Sequence, residues 1–411
     1  MKNNNIGIIG GGLSGLIAAY NLYRKLGNDI NLTIIEKNDR IGGRIFTKNF
    51  NSCPMEIGAM FYINGGKIQY LLKSLNLEQS ILLDKEKFIS IYHNQKLFGI
   101  DDFFSSVLTK GEKEEIRELK KYVKNLDFKR SYKSCNFKNW YNRNIGKRLE
   151  AFWKRMLMSL GVRDLKSINT HFALTLIYVL ISGQNYIYKR GLQCLVKELS
   201  KKISSFGGKI NTGAKCVSIK KENKKFKLII QTKDGKEKTI IFDKLISAIK
   251  PKDLSEIYDE DNNFIKNINK IDGHPLGVYA IQTDKKLWKK TWGLVIPKEK
   301  CPLYILLDWK NITKTKKETP FLAIGSASAT KEEIIDNLQT LFPDYNSKFK
   351  IIYEKRWSVG LHQPNGDFYD IRNEIIKNLP SNFCLAGDWM VLPSIEGAVI
   401  SGKRSVKSII E

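Results

Sequence analysis

Gly10, Gly12 and Gly15 follow an apolar run at residues 6–9 and open a helix-periodic stretch that begins at Leu13 and Ser14 and stops at Gly27. The first glycine permits a tight turn, the second lets the backbone approach a pyrophosphate, and the third lets helix pack close to strand. The helix N-terminus then faces an anion. A second strand-like run, residues 31–35 (NLTII), ends at Glu36, 21 residues after Gly15. An acid at that place accepts hydrogen bonds from an adenosine ribose and repels a further phosphate on it. Strand, spacing and acid agree on a dinucleotide, and they leave open whether it is NAD or FAD.

Two more segments carry residues able to serve such a ligand. Residues 37–44 (KNDRIGGR) place Lys37, Arg40, Gly42, Gly43 and Arg44 directly after the ribose acid. Close to the end, LAGDWMVLPSIEGAVISG sets Gly387 and Asp388 at a strand end, and Ser394, Ile395, Glu396, Gly397 and Ala398 at a helix start. An NAD dehydrogenase needs Glu36 but not this second segment.

The elements that must hold these residues are legible in outline. Strand, turn, helix and strand over residues 6–36 make a βαβ unit at the start of the chain. Residues 101–181 read as mainly helical and residues 192–206 as a helix. Strands follow on either side of an Asp234-Gly235 hairpin turn. Residues 275–356 carry several strand-like runs around the helical KEEIIDNLQTLF, and the chain closes on strand, turn and helix.

With 411 residues, 42% hydrophobic and 11% aromatic, the chain has the length and balance for two or three packed domains. Its net charge of +27 would ordinarily point to an anionic partner. The excess is 56 Lys against 13 Arg, and Asn and Ile are also abundant. A codon bias across the whole chain therefore explains the charge ahead of any partner. Residues 110–150, with 13 basic and 6 acidic residues, show no RNA-binding signature, so no nucleic acid is expected. Six scattered cysteines without a CxxC pair, and four histidines, give no metal site. The opening residues lack the apolar core of a signal peptide, which reads as a cytoplasmic chain with reduced thiols. The longest apolar run, residues 172–181, falls short of the roughly 18 residues of a membrane span and reads as a buried helix or lining.

Taken with the fingerprint, the RIGGR loop and the terminal AGD and EGA segments resemble the FAD-dependent flavin amine oxidase superfamily. That group includes amino-acid oxidases, protoporphyrinogen oxidase, phytoene desaturase and hydroxysqualene dehydroxylase. The resemblance runs along nearly the whole chain, with its specific motifs at the two ends. It implies an α/β fold with a Rossmann-like FAD-binding domain assembled from residues 1–85, 190–270 and 375–411. Residues 86–189 and 271–374 would form an α+β substrate domain of mixed sheet with a helical cap. It also implies that Arg40, Gly42, Gly43 and Arg44 pack over FAD, and that Gly58, Ala59 and Met60 line its site. Asp388 would stand near the ribityl-pyrophosphate region, the helix start from Ser394 to Ala398 near the flavin, and the backbone of Val217 near the adenine.

The same resemblance frames the chemistry. Flavin accepts hydride from a substrate C–H, giving C=C or C=N, and dioxygen or a quinone reoxidises it. Amine oxidases of the group hold a Lys near the flavin at a position that here is Val278, and an aromatic residue where this chain has Ser394. Both departures turn the reading toward an apolar, isoprenoid-desaturase-like substrate, with peripheral membrane contact through the basic surface. An amine or L-amino-acid oxidase is the alternative, with Arg44 pairing a substrate carboxylate. A non-catalytic flavin-binding protein is the alternative of another class. Tyr62, Trp357 and His362 are candidates for the substrate wall. No cysteine falls where a covalent flavin link is expected, so FAD is expected to be noncovalent.

Overall fold

The computed structural model describes residues 4–27, 29–83, 85–125, 135–182, 184–259, 263–298, 300–313, 315, 318–343 and 348–410. Five parallel strands form its first sheet, in the order Lys209–Asn211, Ile30–Ile35, Asn4–Ile9, Lys244–Ser247 and Phe383–Leu385. Successive side chains of a strand point to opposite faces. Ile6, Ile8 and Ile34 accordingly enter the core beneath helices Leu13–Leu26, Gln193–Ser205 and Ile395–Ile410. Ile9, Ile35 and Leu245 face the antiparallel strands Ala214–Glu222, Lys225–Thr232 and Glu237–Phe242, the last two joined through Asp234-Gly235 as the sequence suggests. Burial on both faces is why residues 6–9, 32–35 and 245–247 of the inner strands read as nearly unbroken apolar runs, whereas the edge strand Lys209–Asn211 is largely exposed.

The second sheet is mixed and seven-stranded: Lys350–Gln363, Asp272–Gln282, Phe321–Ser326, Leu303–Leu307, Gly293–Val295, Ile89–His93 and Lys96–Gly99. Its pairs are antiparallel except Gly293–Val295 with Ile89–His93. Helices Lys110–Lys124, Phe137–Asn144, Glu150–Met158 and Thr170–Ser182 share one large core with it. The helical stretch expected over residues 101–181 is thus a set of separate helices, and residues 126–134 lie outside the described residues. Thr109 with Glu112, and Thr330 with Glu333, close capping boxes that start helices Lys110–Lys124 and Lys331–Leu341, each a device of about 1 kcal/mol. The fold is therefore α/β, a Rossmann-like parallel core joined to a mixed sheet under helices. Among the described residues, no helix is long and apolar enough to cross a membrane, and no cluster of three or more His, Cys, Asp or Glu could hold a metal ion.

Candidate functional site

Parallel sheets bind ligands beyond the carboxyl ends of their strands. Here Gly10 follows strand Asn4–Ile9, Glu36 follows Ile30–Ile35, and Gly387-Asp388 lies just past Phe383–Leu385. Gly10 turns at φ +104° and donates its N–H to Ile35 O at 2.8 Å. A side chain on Gly15 would put its Cβ 2.0 Å from Gly10 O, so only glycine lets the helix start this close to the turn. The helix begins at Gly12 with no side-chain cap and no acid in its first turn, which leaves its first N–H groups for an anion. The RIGGR loop folds over that opening. Gly42 N–H donates to Gly11 O at 2.7 Å, and a Cβ on Gly43 would stand 3.1 Å from Gly12 Cα. This bare backbone cradle fits a dinucleotide pyrophosphate.

Glu36 is buried, and it is already oriented. Its Oε2 accepts from Gly11 N–H at 2.8 Å, and its Oε1 accepts from Asn38 N–H at 2.8 Å and from the Asn38 amide at 2.5 Å. A carboxylate has about four lone-pair positions, so one on Oε2 stays open to a further donor such as a ribose hydroxyl. Arg40 spends its guanidinium on its own loop, donating to the carbonyls of Gly43 at 2.6 Å and Ile45 at 3.0 Å while lying 4.4 Å over the Phe46 ring. Lys37 is drawn away to Asp253 at 2.8 Å.

At the other strand end, three residues nominated separately meet. Arg44 Nη2 and His362 Nδ1 both bond Asp388 Oδ1, at 2.5 and 3.1 Å. Burial alone would raise the Asp388 pKa, but the adjoining Arg44 charge and the His362 bond hold its carboxyl well below the usual carboxylate range. At His362, by contrast, burial prevails and lowers the pKa, against the pull of Asp388. The imidazole is therefore neutral near pH 7. Because ionised Asp388 can only accept, Nδ1 carries the proton and Nε2 is a bare acceptor. Nε2 is buried and has no hydrogen-bond partner. Gly387 N–H donates to Ser401 Oγ at 2.8 Å, which fixes the turn against the terminal helix.

Strand Lys350–Gln363 joins the mixed sheet to this corner. Gly360 O accepts from Arg44 Nη1 at 3.5 Å, and the Trp357 indole N–H donates to Ile57 O at 2.9 Å with its ring edge-on to Phe46. Ala59 N–H donates to Arg44 O at 2.9 Å, tying residues 57–60, with buried Met60, to the same loop. Val217 is the unpaired residue of a bulge between Cys216 and Ser218, so its backbone is left out of the ladder. Ser394 starts the terminal helix, its Oγ accepting from Gly397 N–H at 2.9 Å, and Ile395 and Ala398 are buried behind it.

Other candidates stand elsewhere. The Glu396 carboxylate accepts from Lys67 N–H and from Ile68 N–H, the latter at 3.1 Å, and so caps helix Lys67–Ser74. Tyr62 bonds Ser80 and stacks on Tyr186, its hydroxyl pushed by burial to about 12; its contacts are with neither Arg44 nor His362. Val278 is buried in the core opposite Lys355, whose Nζ lies 5.1 Å over Trp357. Sequence reasoning missed Lys355, Asn38 and Ser401. Asn38, two residues past the acid, was within reach of the motif, whereas Lys355 depends on strand register and Ser401 on a helix packed against the turn.

Fold and cradle are of the kind that dinucleotide-binding proteins use. The chain belongs to the flavin-containing amine oxidoreductase family, whose model matches residues 13–410. It is 35% identical over 91 residues to a coproporphyrinogen III oxidase of Mycobacterium tuberculosis, a stretch covering 22% of this chain and 20% of the relative. It is 38% identical over 58 residues to polyamine oxidase 1 of Oryza sativa subsp. japonica, 14% of this chain and 11% of that one. These matches span about a fifth or less of the curated relatives' length. Over 99% of both chains the fold resembles a CLA-producing fatty acid isomerase from P. acnes, at TM-score 0.79 and 15% identity.

Proposed function

We propose that the chain is an enzyme that binds FAD noncovalently and dehydrogenates an apolar or anion-bearing small molecule. Bound FAD supplies a hydride acceptor for a substrate C–H, so that C=C or C=N forms and dioxygen or a quinone takes the electrons. The observation that carries the reading is the cradle in which Gly12 and Gly43 face each other without side chains, with Glu36 on one side and Arg44, Asp388 and His362 on the other. Gly12 and the first turn of helix Leu13–Leu26 would hold the pyrophosphate, Glu36 the adenosine ribose and the Val217 bulge the adenine. The N-terminus of helix Ile395–Ile410 favours negative charge on the ring system. Trp357 and Phe46 exclude water from the substrate side.

Substrate class follows from charge. The four buried acids among the described residues, Glu36, Glu56, Glu115 and Asp388, all have hydrogen-bond partners already. Lys355 and Arg40 lie over the rings of Trp357 and Phe46. Aromatic rings lined by cations favour a hydrocarbon or a carboxylate-bearing body over a polyamine. A porphyrinogen, an apolar macrocycle with acidic arms, is one such molecule. Arg44 is occupied by Asp388 and Gly360 O, which weakens the case for an amino-acid oxidase.

Anaerobic bleaching of the bound flavin tests this directly. A porphyrinogen or an apolar polyene should bleach it, and aerated buffer or a quinone should restore the colour. Bleaching by putrescine or an L-amino acid, with none by the apolar compounds, would overturn the substrate class. No bleaching by any of them would favour a non-catalytic flavin-binding protein.

A further inference from the structure

Aromatic rings and ammonium groups alternate beside the RIGGR loop. Every second residue of a strand shares a face, so Phe46, Lys48 and Phe50 project together from the hairpin strand Thr47–Phe50 and the residue before it. Tyr353, Lys355 and Trp357 do the same from strand Lys350–Gln363, in regular register against Ala280, Val278 and Leu276. The two rows meet in antiparallel order. Phe46 packs edge-on to Trp357, with ring centroids 6.5 Å apart, and Phe50 packs edge-on to Tyr353 at 6.2 Å. The middle positions, Lys48 and Lys355, therefore stand opposite each other between two aromatic pairs. Lys48 Nζ lies 4.6 Å from the Tyr353 ring centroid, and Lys355 Nζ 5.1 Å from that of Trp357.

Neither ammonium has an acid. Among the described residues no carboxylate lies within ion-pair distance of Lys48 or Lys355, and Glu354 turns to the other face toward Lys331 and Arg356. Both lysines are half-buried, as are Phe46, Tyr353 and Trp357, so the slot is in contact with solvent rather than sealed. Two like charges held on partly desolvated stems repel, and the ring faces offset only part of that. An anion between them turns the repulsion into two attractions, and the rings give its body an apolar wall. Phe46 lies two residues past Arg44, and the Trp357 indole bonds Ile57 O, so the slot adjoins the candidate ligand residues. We propose that Lys48 and Lys355 determine specificity by binding a carboxylate of the substrate, whose apolar body lies along Phe46 and Trp357. The inference deepens the dehydrogenase reading above and rests on it.

Two probes of one shape and different charge, naphthalene-2-carboxylate and naphthalene-2-carboxamide, separate charge recognition from packing. Equilibrium dialysis against the holoprotein, with its flavin content measured, should show the carboxylate bound about tenfold more tightly than the amide. Lys48→Met and Lys355→Met keep the apolar stems; each should weaken the carboxylate about fivefold and leave the amide within about twofold. Lys355→Arg restores the charge and should hold the carboxylate within about threefold of wild type. Equal affinity of the wild type for both probes, or equal loss of both in the methionine variants, would overturn the inference while leaving FAD binding intact. Carboxylate selectivity that depends on both lysines in a protein without flavin would keep the slot and overturn the dehydrogenase reading instead.

Discussion

Asp388 and Glu56 are both carboxylates sealed from solvent, and their pKa values move in opposite directions. Asp388 sits at the end of a parallel strand between a guanidinium and an imidazole, and charge outweighs burial. Glu56, in the hairpin strand Cys53–Glu56, meets only neutral donors: Leu192 N–H at 2.5 Å and the Thr47 hydroxyl at 3.0 Å. Burial pushes Glu56 up to about 7 against those bonds. Dipoles can orient a buried carboxylate, but a counter-charge is needed to keep it ionised. The first arrangement stands among the candidate ligand residues; the second caps the start of helix Gln193–Ser205.

Removing each charge should expose the contrast. Asp388→Asn takes the counter-charge from Arg44, which keeps partial exposure and its contact with Gly360 O, and should cost up to about 3 kcal/mol in urea unfolding, with flavin lost on purification. Adding Arg44→Met should recover part of that cost, and strictly additive losses would mean the pair is not coupled.

Glu56→Gln should behave in the opposite sense. The carboxyl of Glu56 is raised from 4.5 to about 7 in the folded protein. Its contribution to stability is therefore complete below about pH 4.5 and fades as pH rises through about 7, a swing of roughly 3 kcal/mol. His362, lowered by folding, contributes the opposite slope, since the folded state resists its protonation as pH falls below 6.5. The difference between Glu56→Gln and wild type isolates the carboxyl. Glutamine can accept from Leu192 and donate to Thr47, so the variant should match wild type near pH 5 and gain on it toward pH 8. Parallel unfolding midpoints across that range would contradict the assignment.

The smallest effect expected is at Trp357. Trp357→Phe keeps the ring and loses the bond to Ile57 O, which should cost about 1 kcal/mol and leave flavin content unchanged. A large loss of flavin there would move the cofactor-holding role from Asp388 to the Trp357 strand.

How much of this could be read from sequence depended on distance along the chain. The glycine turn, its helix and Glu36 lie within 36 residues, and each local rule agrees with the next. Arg44 and Asp388 were both nominated, but their pairing across 344 positions follows only from the order of five strands. Lys355 stands across from Val278 through antiparallel register, which no motif encodes. Glu56 went unremarked because nothing in CPMEIG distinguishes a buried helix cap from a surface acid. Glu396 shows the reverse: its motif marked it, and packing turned its carboxylate to another helix.

The most direct measurement is to precipitate the purified protein with acid and identify the chromophore in the supernatant by mass. Release of intact FAD, about one per chain, is the expected result. Absence of flavin would contradict the cradle reading, and flavin retained on the precipitate would contradict noncovalent binding.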